Sequence, residues 1–280
     1  MAVRIIVDST ADLKSSVKKR ASVVPLTVCF GQEEYIDGVT IDHQTFYEKL
    51  IESDVLPTTS QATPAAFEGL YQEISQTGDT AVVLTISSCL SGTYQSAVIA
   101  AEDYPGIFVV DSQSTAIGAG ILAELALELA DSGMSAQQIA AQMEQERKKI
   151  CVVAMLDTLE YLKKGGRISK AVAFAGGLLS IKPVIGLDKG EIKILGKARG
   201  SKQGNNLLVQ EIEKAGGVDF QKPLLLGYTG LSDLLLRKYV EDSKSLWENG
   251  TDQPDFVTIG SIVGTHAGPG AIAVAFFRNL

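Results

Sequence analysis

"TAVVLTISSCLSGTYQSA", residues 80–97, decides the fold. Its first seven residues form an apolar run rich in β-branched side chains and of strand length; "SSCLSG" then makes a short loop of small, mostly hydroxyl-bearing residues that opens into a helical pattern. A strand handing over directly to a helix is half of a βαβ unit. The same alternation continues outward on both sides. Upstream lie the strand-like runs "VRIIV" and "SVVPLTVCF" and helical patterns through "QTFYEKLIES" and "PAAFEGLYQEIS"; downstream come "IFVVD" and a long helical stretch from about Ile117 to Lys149. Strands separated by helices need crossover connections, which build a largely parallel sheet.

After about Gly165 the rhythm changes. "KPVIGLDKGEIKILGKA" reads as two strands joined through a Lys-Gly turn, and "FVTIGSIVGTHAGPGAIAVAFF" as two strands around a glycine-rich loop, with helices near 201–215 and 232–248. Hairpins with intervening helices predict an antiparallel α+β unit. The expected fold class is therefore α/β in two domains. Residues 1–160 form an N-terminal, mostly parallel α/β sheet domain, and residues 161–280 a C-terminal α+β domain with a mainly antiparallel sheet.

The 280 residues, 45% hydrophobic and 21% charged, suffice for a sizeable core. A net charge of −8 opposes attraction to phosphate backbones and anionic lipid surfaces, so no nucleic-acid partner is expected. Three widely spaced cysteines, Cys29, Cys89 and Cys151, suggest neither a disulfide framework nor a metal site. The N-terminal apolar run is too short for a signal segment, and no stretch approaches bilayer-spanning length. A cytoplasmic protein without stable membrane insertion is the expectation.

The loop at 87–92 falls at the carboxyl edge of the predicted parallel sheet, where open α/β sheets bind ligands. Ser91 reads as an N-cap or nearby loop residue, and Gly92 permits close backbone approach. A second loop, "LPTTSQATPAAFEG", places Thr58, Thr59 and Ser60 just before Thr63 as N-cap and Pro64 as first helical residue. Helix starts favour anions, yet spacing alone fits two ordinary capped helices just as well. His266, in "GTHAGPGA", is one of two histidines; His43 reads as an exposed residue at a helix start. Basic residues gather in "KKGGRISK", 163–170, and "GKARGSK", 196–202, either as solvated faces or as a patch for an acidic partner or phosphoryl group.

Several chemistries lack their motifs: there is no G-x-S-x-G elbow, no phosphate loop and no metal-spaced histidine pair. "GAGILA" at 118–123 already reads as helix and is explained by packing. A hydrolase or transferase using Ser91 as nucleophile, with His266 and Asp8 or Asp111, stays open because triads are defined by geometry.

Taken in order, "IIVDSTADL", "VVPLTVCF", "YIDGVTI", "PTTSQATP", "SSCLSGTYQSA", "VVDSQSTAIGAG", "TLEYLKKGGRIS", "IKPVIGL", "KARGSKQ" and "GTHAGPGA" resemble the DegV family over nearly the whole chain. The resemblance implies a lipid-binding substrate carrier that is not itself an enzyme. It would have no catalytic residues, no metal and no cofactor, and would hold one long-chain fatty acid between its domains. Its implied partners are the catalytic subunit of a fatty acid kinase, to which it presents the carboxyl group, and an acyltransferase of phospholipid synthesis, towards which it carries the acyl phosphate. By the family's pattern Ser91 and Thr59 bind the carboxylate, Ser60 and Gly92 assist, and His266 sits beside Ser91 and orients its hydroxyl. Arg167 and Arg199 match recurrent arginines that meet the kinase or phosphate, or pair structurally. A receptor for another small amphipathic acid is the remaining alternative. Neutral donors are needed because burying a bare carboxylate is costly. A tail of sixteen carbons contributes roughly 12 kcal/mol of gross transfer energy, at about 0.8 kcal/mol per methylene. The all-apolar stretch 171–181 is the candidate tunnel wall.

Overall fold

The structure, a computed structural model, describes residues 2–168, 181–248, 250–251 and 253–279. In chain order the first half contains β1 (Val3–Asp8), α1 (Ser15–Lys18), β2 (Ser22–Val24), β3 (Thr27–Phe30), β4 (Glu33–Ile36), α2 (His43–Glu52), β5 (Thr58–Ser60), α3 (Pro64–Thr77), β6 (Thr80–Thr85), α4 (Thr93–Ala101), β7 (Ile107–Asp111), α5 (Ala116–Asp131) and α6 (Ala136–Glu146). A 3-10 turn, Arg147–Lys149, leads into β8 (Ile150–Met155) and α7 (Glu160–Lys164). Then come β9 (Ile181–Asp188), β10 (Glu191–Arg199), α8 (Gly200–Lys214), β11 (Leu225–Tyr228), α9 (Leu234–Asp242), α10 (Lys244–Trp247), β12 (Phe256–Thr258), α11 (Ser261–Ala267) and β13 (Ile272–Phe277).

The fold class is mixed α/β, as the alternation predicts. Four strands in the order β2-β1-β6-β7 form a wholly parallel sheet. Six strands in the order β10-β9-β8-β13-β11-β12 form a second sheet, antiparallel except where β11 meets β12. β8 precedes residue 160 in the chain and pairs within this second sheet. A small antiparallel sheet, β4-β3-β5, sits beside the parallel one. "SVVPLTVCF" is thus two strands in two sheets. Pro25, which has no N–H to donate to a ladder, stands in the break between them.

The stretch read as one helix from Ile117 to Lys149 is also two. Gly133 turns the chain at φ 86, and Ser135 caps α6 by a reciprocal box with Gln138. The first two turns of α5, Ala116–Ala123, are apolar on every side because they lie between the sheets: α5 packs with Val7 and Val82 on one side and with Val152, Leu225, Ala273 and Phe277 on the other. A Cβ at Gly120 would lie 2.1 Å from the Asp12 carbonyl, so close packing, and not a nucleotide, accounts for "GAGILA". The outer face of the parallel sheet is covered by an aromatic cluster that includes Phe46, Tyr47, Phe67 and Tyr71; that of the second sheet is covered by Leu208, Ile212, Leu236, Tyr239 and Trp247.

One expected loop is a helix. The chain around His266 forms α11, with His266 in its last turn. Isolated, so short and β-branched a segment would not hold a helix. Tertiary bonds hold this one: Tyr47 donates to the Ile259 carbonyl at 2.8 Å, Gly260 N donates to Asp12 Oδ1 at 2.8 Å, and Ser261 donates to Asp37 Oδ1 at 2.5 Å. His43, expected at the surface, is half-buried against this same joint, near Gly260. Burial lowers its pKa from the usual value.

Candidate functional site

A cavity of about 410 Å³ runs between the two sheets. That volume falls within the usual range of small-molecule sites, about 300–1,000 Å³. Its interior is aliphatic, with Ile86, Val152, Ala154, Ile185, Leu187 and Ala273 among the lining residues. The expected site residues each come from an element terminus: Thr59 and Ser60 from β5, Ser91 and Gly92 from the β6–α4 loop, His266 from the last turn of α11, and Arg167 from the segment after α7. All six line the cavity.

The hydrogen bonding among them differs from the expected pairing. His266 Nε2 lies 3.1 Å from Thr59 Oγ1, while the Ser91 hydroxyl pairs with Thr93 Oγ1 at 2.9 Å and accepts from Thr93 N at 3.3 Å. The imidazole therefore orients Thr59. The physical reason is the helix: α11 packs against β5 and carries His266 towards that strand. The N-cap of α4 is Gly92, one residue beyond Ser91, while Pro64 does open α3 after Thr63.

Burial, and secondarily the nearby Arg167 charge, lowers the pKa of His266 to about 4. The ring is accordingly neutral at ordinary pH, and its buried Nδ1 has no hydrogen-bond partner. Arg167 is fixed by its Nε to the Leu90 carbonyl at 3.2 Å and by Nη1 to the Gly165 carbonyl at 2.7 Å. A guanidinium at the same mouth corrects the expectation of purely uncharged donors there. Arg199 is exposed at the end of β10 and lies apart from the cavity.

No Ser-His-Asp relay forms from the residues considered for it. Asp8 accepts from Thr10 Oγ1 at 2.6 Å and from Ile86 N at 2.6 Å, and Asp111 accepts from Ser88 Oγ at 2.6 Å and Gln113 N at 2.8 Å. Both carboxylates are engaged beneath the strand ends. Among the described residues no cluster of His, Cys, Asp or Glu is arranged to hold a metal, and no helix is long and apolar enough to cross a membrane.

Sequence reasoning missed Gln61, Thr93 and Thr115. Gln61 lines the mouth and donates to Ser96 Oγ at 3.0 Å. Thr93 hides in the run of hydroxyls. Thr115 lines the cavity with a buried hydroxyl that has no partner; its position just before a helix reads as a cap, although its side chain makes no capping bond. Of the expected tunnel wall, 171–181, only Ile181 lies within the described residues.

Comparison with known proteins places these features in a family. The model of the DegV family, described as uncharacterised proteins, matches residues 2–279. A DegV domain-containing protein of Caldanaerobacter subterraneus is 31% identical over 280 residues, covering 98% of each chain. A DegV family protein from Thermus thermophilus, whose structure is described as binding fatty acid, is 31% identical with a TM-score of 0.87, covering 99% of this chain and 100% of its own. A stearic acid-binding protein from Eubacterium ventriosum is 27% identical with the same TM-score, covering 99% and 98%.

Proposed function

We propose, from the premise that this chain belongs to the DegV family, that it is a carrier holding one long-chain fatty acid in the cavity between its sheets, with the carboxylate at the Thr59, Ser91 and His266 end. The single observation that carries the reading is the polarity of the cavity. Most of the lining is aliphatic, and contacts bring the polar residues together: His266 lies 3.1 Å from Thr59, and Arg167 bonds the carbonyl of Leu90, the neighbour of Ser91. An acyl tail gains from losing water contact, and a carboxylate enters a protein only where donors replace its hydration. The structural relatives described as fatty-acid-binding proteins support the same assignment.

Once loaded, the chain presents the carboxyl group to the catalytic subunit of a fatty acid kinase, and the resulting acyl phosphate passes to an acyltransferase of phospholipid synthesis. The hydroxyl and imidazole donors leave a carboxylate oxygen nucleophilic, and Arg167 steadies the incoming phosphate. Arg199, exposed on the β10 end, faces the partner. Residues on both sides of β8 supply the polar group, Thr59, Ser60 and Ser91 from before it and Arg167 and His266 from after it.

Native mass spectrometry of freshly purified protein tests binding: a single non-covalent increment matching a long-chain fatty acid is expected, and an empty chain or a covalent adduct on Ser91 overturns the assignment. Reconstitution with a purified fatty acid kinase tests the second step. Kinase-dependent conversion of the bound acid to acyl phosphate is expected; binding without any conversion refutes the carrier role while leaving the ligand assignment intact.

A further inference from the structure

We propose that Gly165 is a positioning residue for the fatty-acid site: its bare Cα meets the Nδ1 edge of His266, fixes the imidazole as the Nε2–H tautomer, and thereby turns the Thr59 hydroxyl proton towards the cavity as a donor to the acid. The last step rests on the proposed function. The first two rest on the fold alone.

Gly165 is the C-cap of α7, at φ −71 and ψ −9. That is right-handed helical backbone open to any residue, so conformation does not call for glycine here. Its neighbour Gly166, at φ 72, does lie in the left-handed region. What excludes a side chain at Gly165 is the imidazole. A Cβ there would lie 2.1 Å from His266 Nδ1 and 2.7 Å from its Cε1, and no other atom of the described residues would come closer than 3.1 Å. The contact is reciprocal. α11 lays His266 on Gly165 at the end of α7, and α7 lays Tyr161 against Gly268 at the end of α11, where a Cβ would meet the tyrosine ring at 2.3 Å. The two helix ends interlock, and the ring is held in place.

This interlock decides which nitrogen carries the proton. A neutral imidazole has one N–H and one bare nitrogen, and what each nitrogen faces sets the choice. Nδ1 is buried without a hydrogen-bond partner, and a hydrogen of Gly165 Cα fills the space towards it. A proton on Nδ1 would be an orphaned buried donor aimed at a C–H. A lone pair there meets that weakly positive C–H favourably. The proton therefore sits on Nε2, 3.1 Å from Thr59 Oγ1.

The consequence falls on Thr59. Its hydroxyl has a single proton and two lone pairs. Against a bare Nε2 it would donate to the ring and turn only lone pairs to a carboxylate. Against Nε2–H it accepts from the ring and keeps its proton for the ligand. Gly165 selects the second arrangement without itself lining the cavity.

Long-range 1H–15N correlation NMR on the 15N-labelled full chain near neutral pH reads the tautomer. The chain has two histidines, so the ring-nitrogen signals missing from His266→Gln belong to His266. A protonated Nε2 with a bare Nδ1 is expected in the wild type; the opposite assignment overturns the proposal. A double-mutant cycle on the Kd of a fluorescent fatty acid tests the link to binding. Gly165→Ala should weaken binding about fivefold in the wild type and less than about twofold in His266→Ala, where the ring it displaces is gone. Equal weakening in both backgrounds, or an unchanged Kd in Gly165→Ala, overturns the positioning role. A wild type that shows the Nε2–H ring yet binds no fatty acid refutes the proposed ligand and leaves the relation between Gly165 and His266 intact.

Discussion

The Thr59 hydroxyl and the His266 imidazole, 207 positions apart in the chain, stand 3.1 Å from each other where β5 meets the end of α11. That contact joins the small antiparallel sheet to the second half of the molecule in the lining of the cavity. Its geometry depends on a neutral ring, because an imidazolium beside Arg167 would carry a second positive charge into a buried site.

The depressed pKa of His266 makes a pH prediction. Its folded value, about 4, lies below the unfolded 6.5. The unfolded chain therefore binds the proton more strongly, and this residue's contribution to stability falls as pH drops from about 6.5 to 4. A shift of this size is worth about 3 kcal/mol over the window. Urea unfolding of wild type and His266→Gln at several pH values should show that slope in the wild type and lose it in the variant. NMR titration of Arg167→Gln should place the His266 pKa above 4, since a neighbouring cation is gone. Parallel pH profiles for wild type and His266→Gln would contradict the assignment.

Removing a head-group donor should cost orientation more than retention. Ser91→Ala and Thr59→Val each delete one hydroxyl at the mouth, worth about 1 kcal/mol, or roughly a fivefold weaker Kd for a fluorescent fatty acid. Acid should still copurify, because the buried tail supplies most of the binding. Phosphorylation of the bound acid by a kinase should fall far more steeply than either Kd or stability. Complete loss of lipid from either variant would show that the head group, and not the tail, dominates.

Cavity filling distinguishes an open tunnel from packed core. Ala273, on β13, is 5% exposed and lines the cavity. In a packed core Ala273→Leu would cost about 1–3 kcal/mol through overpacking. With open space beside it, Ala273→Leu should melt within a few degrees of wild type, while extracted lipids shift to shorter chains on gas chromatography. Destabilisation with an unchanged lipid profile would argue against a tail at this position.

The mounting of α11 offers a fourth test. Tyr47→Phe deletes the bond to the Ile259 carbonyl and should destabilise by about 1 kcal/mol. Gly264→Ala should cost more, about 1–3 kcal/mol, since the added Cβ would lie 2.5 Å from the Tyr47 hydroxyl and 2.9 Å from Phe46, both held in the core. Both variants should also loosen fatty-acid binding by displacing His266. Asp12→Asn should behave oppositely. It keeps the acceptor for Gly260 N and removes a carboxyl that burial pushes well above its usual pKa, so stability at neutral pH should equal or exceed wild type. Chemical denaturation ranks the three.

The alternation of strands and helices, the Lys189-Gly190 hairpin turn and the polar loop at a carboxyl strand edge were legible because each is written in local residue types. What escaped was written elsewhere. α11 contains Ile262, Val263 and Thr265, which read locally as strand, and it is helical because Tyr47, Asp12 and Asp37 bind its leading end from more than 200 residues away. The bond between His266 and Thr59, in place of one to Ser91, results from that helix. The local sequence left Arg167 open between a solvated or partner-facing charge and a structural one, because nothing in "KKGGRISK" reveals the Leu90 carbonyl that fixes it.

α5 has a bearing on how a lipid enters and leaves. A helix gripped by sheet on two sides acts as a rivet: prying the halves apart would strip water-fearing surface from Ile117, Leu122, Ala126 and their neighbours simultaneously. Opening the molecule along that plane is therefore costly, and under the proposed function a bound fatty acid should exchange slowly, at a rate that substitutions lining the cavity change.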